Sequence, residues 1–205
     1  MNKFLKVILE VLLFCGIVFL VYAIYSSIMK PVNFNKEKDF REGVAIQQMK
    51  DIRTLQVAYK NVNGKFAPSI DSLVEFYKSG TMTVIRSIGS MDDSLAVAQG
   101  KVKREAIEIP VRDTLLKNRP DFNPDQLKYI PFTDGKEIIM NETIKEVSGV
   151  DVPLFEAKVP YVDLLNGMDH QQIVNLVYDR CDTDRYPGLQ VGSIENPNNN
   201  AGNWE

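Results

Sequence analysis

Asp179, Asp182 and Asp184 fall within six residues of the stretch DRCDTDRYPG, a spacing that could gather carboxylate oxygens around Ca²⁺. The stretch has neither the loop spacing nor the closing bidentate Glu of an EF-hand, so it is read as a solvated helix end. His170 is the only histidine. No His pair is therefore present for a metal, and any nucleophilic triad would have to be built on that one residue. Placed at the start of a helix, it is read as a surface residue. Cys15 lies in an apolar run and Cys181 in the polar remainder, which leaves no intrachain disulfide between them. These residues assign no catalytic, cofactor-binding or metal-binding position, and the expectation is a protein that is not an enzyme and carries no cofactor.

The elements that hold these residues begin with a membrane anchor over residues 1–30. Val11 to Met29 contains nineteen residues without a formal charge, VLLFCGIVFLVYAIYSSIM, enough to cross most of a ~30 Å hydrocarbon core. Val7, Ile8 and Leu9 extend it to full span. A cleaved signal peptide is the alternative, since MNKFLK is a basic leader, but the run exceeds the usual ~7–15 apolar residues and no small-x-small site follows. Phe4, Tyr22 and Tyr25 fit an aromatic belt. Glu10 is the one charge inside the apolar segment, with Lys6 one turn earlier as an ion-pair partner. The competing role for Glu10 is membrane assembly, pairing with a neighbouring subunit. Lys3 and Lys6 precede the span and Lys30, Lys36, Lys38 and Arg41 follow it, a count that taken alone puts the larger part in the cytoplasm.

Pro31 predicts a break, and residues 31–39 are read as a linker. From residue 40 to 62 an amphipathic helix follows, with Ala45, Ile52 and Tyr59 on one series and Gln48, Leu55 and Val62 on the next. Its apolar face either packs on the chain's own sheet or serves as an interaction face, represented by Ile52 and Leu55. Asn63-Gly64 ends the helix through a left-handed glycine. Ser69 then opens a short helix to about Lys78, closed by Gly80.

These features resemble the N-terminal half of type IV pilin-like proteins, in particular the pseudopilins of type II secretion, over about residues 7–78. The residues that carry the resemblance are Arg53, Thr54, Ala58, Tyr59, Asn63, Gly64, Phe66, Pro68 and Leu73. In that family a long helix starts in the membrane, continues outside it, and meets an Asn-Gly-x-aromatic turn before a short helix. Glu10 stands broadly where the family has a Glu near the start of its apolar run, while the family's Gly-aromatic processing junction is not found before Val7. The resemblance implies an N-in, C-out topology in a bacterial inner membrane, with a periplasmic domain that acts as a structural or assembly subunit of a secretion or pilus-type apparatus. It also implies membrane lipid, other subunits of the assembly or further copies of this chain as partners. Some pseudopilins bind calcium near their C terminus. The alternative function is a membrane-anchored periplasmic module that binds a ligand or peptide.

Residues 40–195 are read as one α+β domain with a mostly antiparallel sheet. Strands are predicted at Thr81–Ile88, Ala106–Val111, across YIPFTDGKEIIM with a turn at Asp134-Gly135, at VDVPLFEAKVP and at LQVGSI, with helices at 161–166 and 170–181. Residues 196–205 form a polar, mobile tail that Trp204 could pin. A net charge of −3, a pI near 5.4 and 24 scattered basic residues exclude a nucleic-acid footprint.

Overall fold

The computed structural model describes residues 3–88 and 103–205. Helix α1 (Lys3–Asn63) runs without interruption for 61 residues, about 90 Å at the α-helical rise. The expected linker over 31–39 and the break at Pro31 are thus corrected: these residues are helical. Pro31 removes one N–H from the ladder and crowds the preceding turn, at about 3 kcal/mol in a helix interior. The cost is offset on both sides. Placed in a bilayer, the apolar residues before it would have no alternative to helix, and from Phe34 onward the helix is held by the domain.

That hold is a stripe at helical spacing. Phe34, Ala45, Met49, Ile52, Leu55 and Ala58 are all buried, and the stripe begins three residues after Pro31. The helix stops where Gly64, at φ +75°, donates its N–H to the Lys60 carbonyl at 2.8 Å. Helix α2 (Ile70–Ser79) is capped by Ser69, whose Oγ accepts from the Ser72 N–H, and buries Ile70, Leu73 and Phe76 toward α1.

Strands β1 (Thr81–Ile88) and β2 (Lys103–Pro110) pair antiparallel as a separate two-stranded ribbon. The second strand ends one residue earlier than expected, because Val111 opens the short helix α3 (Val111–Thr114). A one-turn 3₁₀ helix at Pro124–Gln126 follows. The hairpin expected in YIPFTDGKEIIM forms only as a short loop around Gly135. Ile130 N–H meets the Lys136 carbonyl and Ile138 N–H the Lys128 carbonyl, with one bridge at Tyr129 and Glu137. The long pairing lies further on, between β3 (Ile139–Val147) and β4 (Val150–Pro160), joined through Ser148 and Gly149, both at positive φ.

Helix α4 (Tyr161–Leu164), helix α5 (His170–Asp182) and strand β5 (Gly188–Gly192) complete the domain, and the main sheet has the order β3-β4-β5. Its central strand β4 buries Phe155, Ala157 and Val159, which meet the α1 stripe in one core. Pro153 is tolerated because β5 pairs only with residues 156–160, leaving Pro153 with a single neighbouring strand. The class is α+β.

The tail is polar as expected but is fixed rather than mobile. Asn203 N–H donates to the Gln190 carbonyl at 2.9 Å, Gly192 N–H to the Ala201 carbonyl at 3.0 Å, and Val191 bridges Gly202. The Trp204 indole packs so closely over Gly202 that a β-carbon there would lie 2.4 Å from the ring. The tail therefore covers the outer edge of β5.

Candidate functional site

Two regions of α1 differ in every physical respect. Before Pro31 its large apolar side chains face outward, from Phe4 through Leu12, Phe19 and Ile24 to Ile28, and none of this apolar window is buried by the protein. Leaving such side chains in water forgoes about 1.5–3 kcal/mol each. Among the described residues the segment is the one candidate membrane span, long and apolar enough to cross a bilayer. Glu10 is exposed on it, and among the described residues it makes no ion pair with Lys6.

After Pro31 one face of the helix is core. Ile52 and Leu55 are 0% exposed, which corrects their place as an interaction face: the face they mark is filled by this chain's own domain. The aromatic residues of the Asn-Gly turn behave likewise. Tyr59 meets Phe76 edge-on at 5.2 Å, while Phe66 packs on Phe155 at 4.7 Å beneath the Lys60 ammonium. Asn63 Nδ2 donates to the Tyr59 carbonyl, fixing the turn between them.

The polar residues singled out in the sequence do not converge. Asp179 and Asp182 lie in the last turn of α5, and Asp184 follows at φ +52°, all exposed. Among the described residues no group of three or more His, Cys, Asp or Glu side chains is gathered as a metal site. His170 opens α5 after Asp169, whose carboxylate caps the helix by accepting from Gln172 N–H. Cys15 and Cys181 are both free and exposed, one in the apolar span and one on α5.

The concave site that sequence reasoning missed lies against the middle of α1. Val44, Gln48 and Asp51 form one wall, and the segment from Arg119 to Gly135 forms the other, enclosing about 500 Å³. Asp51 is only 3% exposed, so its charge needs partners: Arg119 donates to it at 3.0 Å and Gln47 at 3.2 Å. Burial pushes the Asp51 carboxyl above its ordinary value, against the opposing pull of Gln47 and Arg119. The Arg119 Nε is buried and unpartnered. Gln48, which broke the apolar seam in the sequence, has its amide nitrogen 2.9–3.0 Å from the carbonyls of Gln126, Leu127 and Tyr129. It replaces strand pairing for that loop. At the rim Phe40 packs on Phe132 at 5.7 Å, with the Arg41 guanidinium over the same ring.

This cleft is suited to binding: it offers aromatic surface and a guanidinium anchored by a buried carboxylate. The available sequence signal was an Asp at position 51 at the edge of an apolar helical face, which in isolation reads as solvated. Comparison with protein-family models, with curated proteins and with solved structures finds no match for this chain.

Proposed function

We propose that this chain is a single-pass membrane protein whose pseudopilin-like domain serves as a structural or assembly subunit of a secretion or pilus-type apparatus. The domain lies on the periplasmic side of a bacterial inner membrane, and no reaction is assigned to it. The observation that carries the reading is the continuity of α1, apolar and uncovered before Pro31 and built into an α+β core from Phe34 onward. A rigid connection of this kind delivers a folded domain at a fixed distance from the bilayer, which is what a repeating assembly needs. The aromatic-flanked Asn-Gly turn at its end supports the same architecture. Because Ile52 and Leu55 are consumed by the core, contacts with other subunits run through the uncovered half of α1, Glu10 included.

The test combines topology with proximity. In the Cys15→Ser background, native Cys181 is expected to react with a membrane-impermeant thiol reagent in intact cells, and a photocrosslinker at Phe14 is expected to capture membrane proteins or a second copy. Labelling only after lysis reverses the topology and removes the secretion reading. Absence of any crosslink removes the assembly reading.

The cleft at Asp51 and Arg119 favours a second reading, a membrane-anchored module that binds a ligand or peptide. A ligand that raises Tm of the wild-type chain and not of Arg119→Ala would favour this module, since binding to the native state alone produces that shift.

A further inference from the structure

The cleft beside the middle of α1 carries one unanswered charge. Its charged lining residues are Asp51, Arg119 and Asp121, two carboxylates against one guanidinium, which leaves a formal charge of −1. Arg119 is answered by Asp51 at 3.0 Å, and Arg41 at the rim by Glu37 at 2.8 Å. Asp121 is exposed and, among the described residues, makes no ion pair or side-chain hydrogen bond. The neutral polar groups are engaged within the walls. The Gln48 amide nitrogen meets three carbonyls, Asn123 Oδ1 accepts from the Asp125 N–H at 3.0 Å, and the Thr133 hydroxyl donates to the Ile130 carbonyl at 2.7 Å. The charge left over for a ligand is therefore negative.

Two rings line the same cleft. Tyr129 is 42% and Phe132 46% exposed, the second in spite of its contacts with Phe40 and Arg41. Phe132 sits at φ +62°, outside the conformations open to most bulky residues, and such strain persists where the surrounding structure fixes a side chain for use. Its turn is fixed at the base, with the Ile130 N–H on the Lys136 carbonyl at 2.8 Å and the Ile138 N–H on the Lys128 carbonyl at 2.9 Å. The Arg41 guanidinium, 5.3 Å from the Phe132 ring centre, shows that this ring accepts a cation. Val44, Ile130 and Pro131 add apolar wall of the kind that covers an aliphatic stem. At about 500 Å³ the cleft has room for one long side chain and its flanking backbone.

We propose that this cleft takes an organic cation, an ammonium or guanidinium group on an aliphatic stem such as a Lys or Arg side chain of a peptide carries, a proposal that rests on the reading of the cleft as a binding module. Asp121 is the counter-ion, and Phe132 and Tyr129 give the ring surface. The Asp51–Arg119 pair holds the two walls together and leaves the ligand's charge to Asp121.

The full chain in a non-ionic detergent, with 4-fluorophenylalanine in place of Phe132, tests this through the fluorine resonance. The probes are N-acetyl-lysine methylamide, its neutral norleucine analogue and its glutamate analogue. The lysine amide is expected to saturate the shift at a concentration several-fold below that of the norleucine amide. Asp121→Asn, an exposed change, is expected to abolish that advantage, leaving the norleucine response and the probe-free resonance as they were. n-Pentylamine separates the sources of the cation: a match to the lysine amide points to a free amine, and weaker binding to a peptide side chain. Equal responses to the lysine and norleucine amides, or a lysine advantage that survives Asp121→Asn, overturn the proposal and leave the cleft a binding site. Tighter binding of the glutamate amide does the same, with Arg119 as the recognising group. No response to any of the probes overturns the proposal and the binding-module reading together.

Discussion

Arg53 on α1 lies 2.6 Å from the carboxylate of Glu205, bridging 152 positions of sequence, and also donates to the Asn200 carbonyl. The contact ties the tail to the helix on which the core is built.

Arg53 holds the Glu205 carboxyl below its ordinary value. The stabilisation is complete above the unfolded carboxylate value and is lost as pH falls through the depressed folded value. Glu205→Gln is expected to lower Tm slightly at neutral pH, and the difference from wild type is expected to vanish on the acid side. Thermal melting of both proteins across that range checks the sign. Because the pair is exposed, added salt shrinks the difference further.

Trp204 contributes more than the ion pair beside it. Trp204→Ala removes the ring that packs over Gly202 and frees the edge of β5, at about 3 kcal/mol. Denaturant unfolding of the full chain in detergent gives the value, and a loss no larger than that of Glu205→Gln would mean the tail is not structural.

Ile52 and Leu55 are completely buried. Leu55→Ala is expected to destabilise by about 2–5 kcal/mol, and Ile52→Asp to abolish cooperative unfolding, because an unpaired carboxylate would sit in the core. Near-ultraviolet circular dichroism reads both. Retention of the native signal with loss of self-association would restore the interaction role.

A continuous α1 places residues 17 and 50 about 50 Å apart. Spin labels at Ile17→Cys and Lys50→Cys, with Cys15 and Cys181 replaced by Ser, are expected to give one narrow distance near that value. A broad or shorter distribution would show a hinge at Pro31.

Asp51 has the opposite pH signature to Glu205. Its folded pKa is raised above 3.8, chiefly by burial, so the native state holds the extra proton in the window above that value. Its contribution to stability therefore falls as pH rises from there through the raised folded value. Asp51→Asn is expected to flatten that part of the profile. Chemical denaturation midpoints at several mildly acidic pH values would reveal it.

Local chemistry made several elements legible. The Ser69 cap and Gly80 stop bounded α2, alternation bounded β1, and β4 followed the run VDVPLFEAKVP from end to end. Other features depended on distant partners. Pro31 reads as a breaker until Phe34 is seen to dock, and the tail reads as loose until Asn203 is seen to meet Gln190. The Asp51 cleft was hidden for the same reason, since Arg119 lies 68 positions away. Asp134-Gly135 did turn the chain, but the alternating residues needed for a long pairing came after it, at Ser148-Gly149.

The unbroken run of α1 past Pro31 makes the candidate span and the domain one lever. From the middle of the apolar span to Asn63 the arm is about 66 Å, and a tilt of about 20°, ordinary for a single span, swings its tip by roughly 20 Å. If that half of α1 spans a bilayer, a small change in how it sits among lipids is magnified into a large sweep of the turn at Asn63-Gly64.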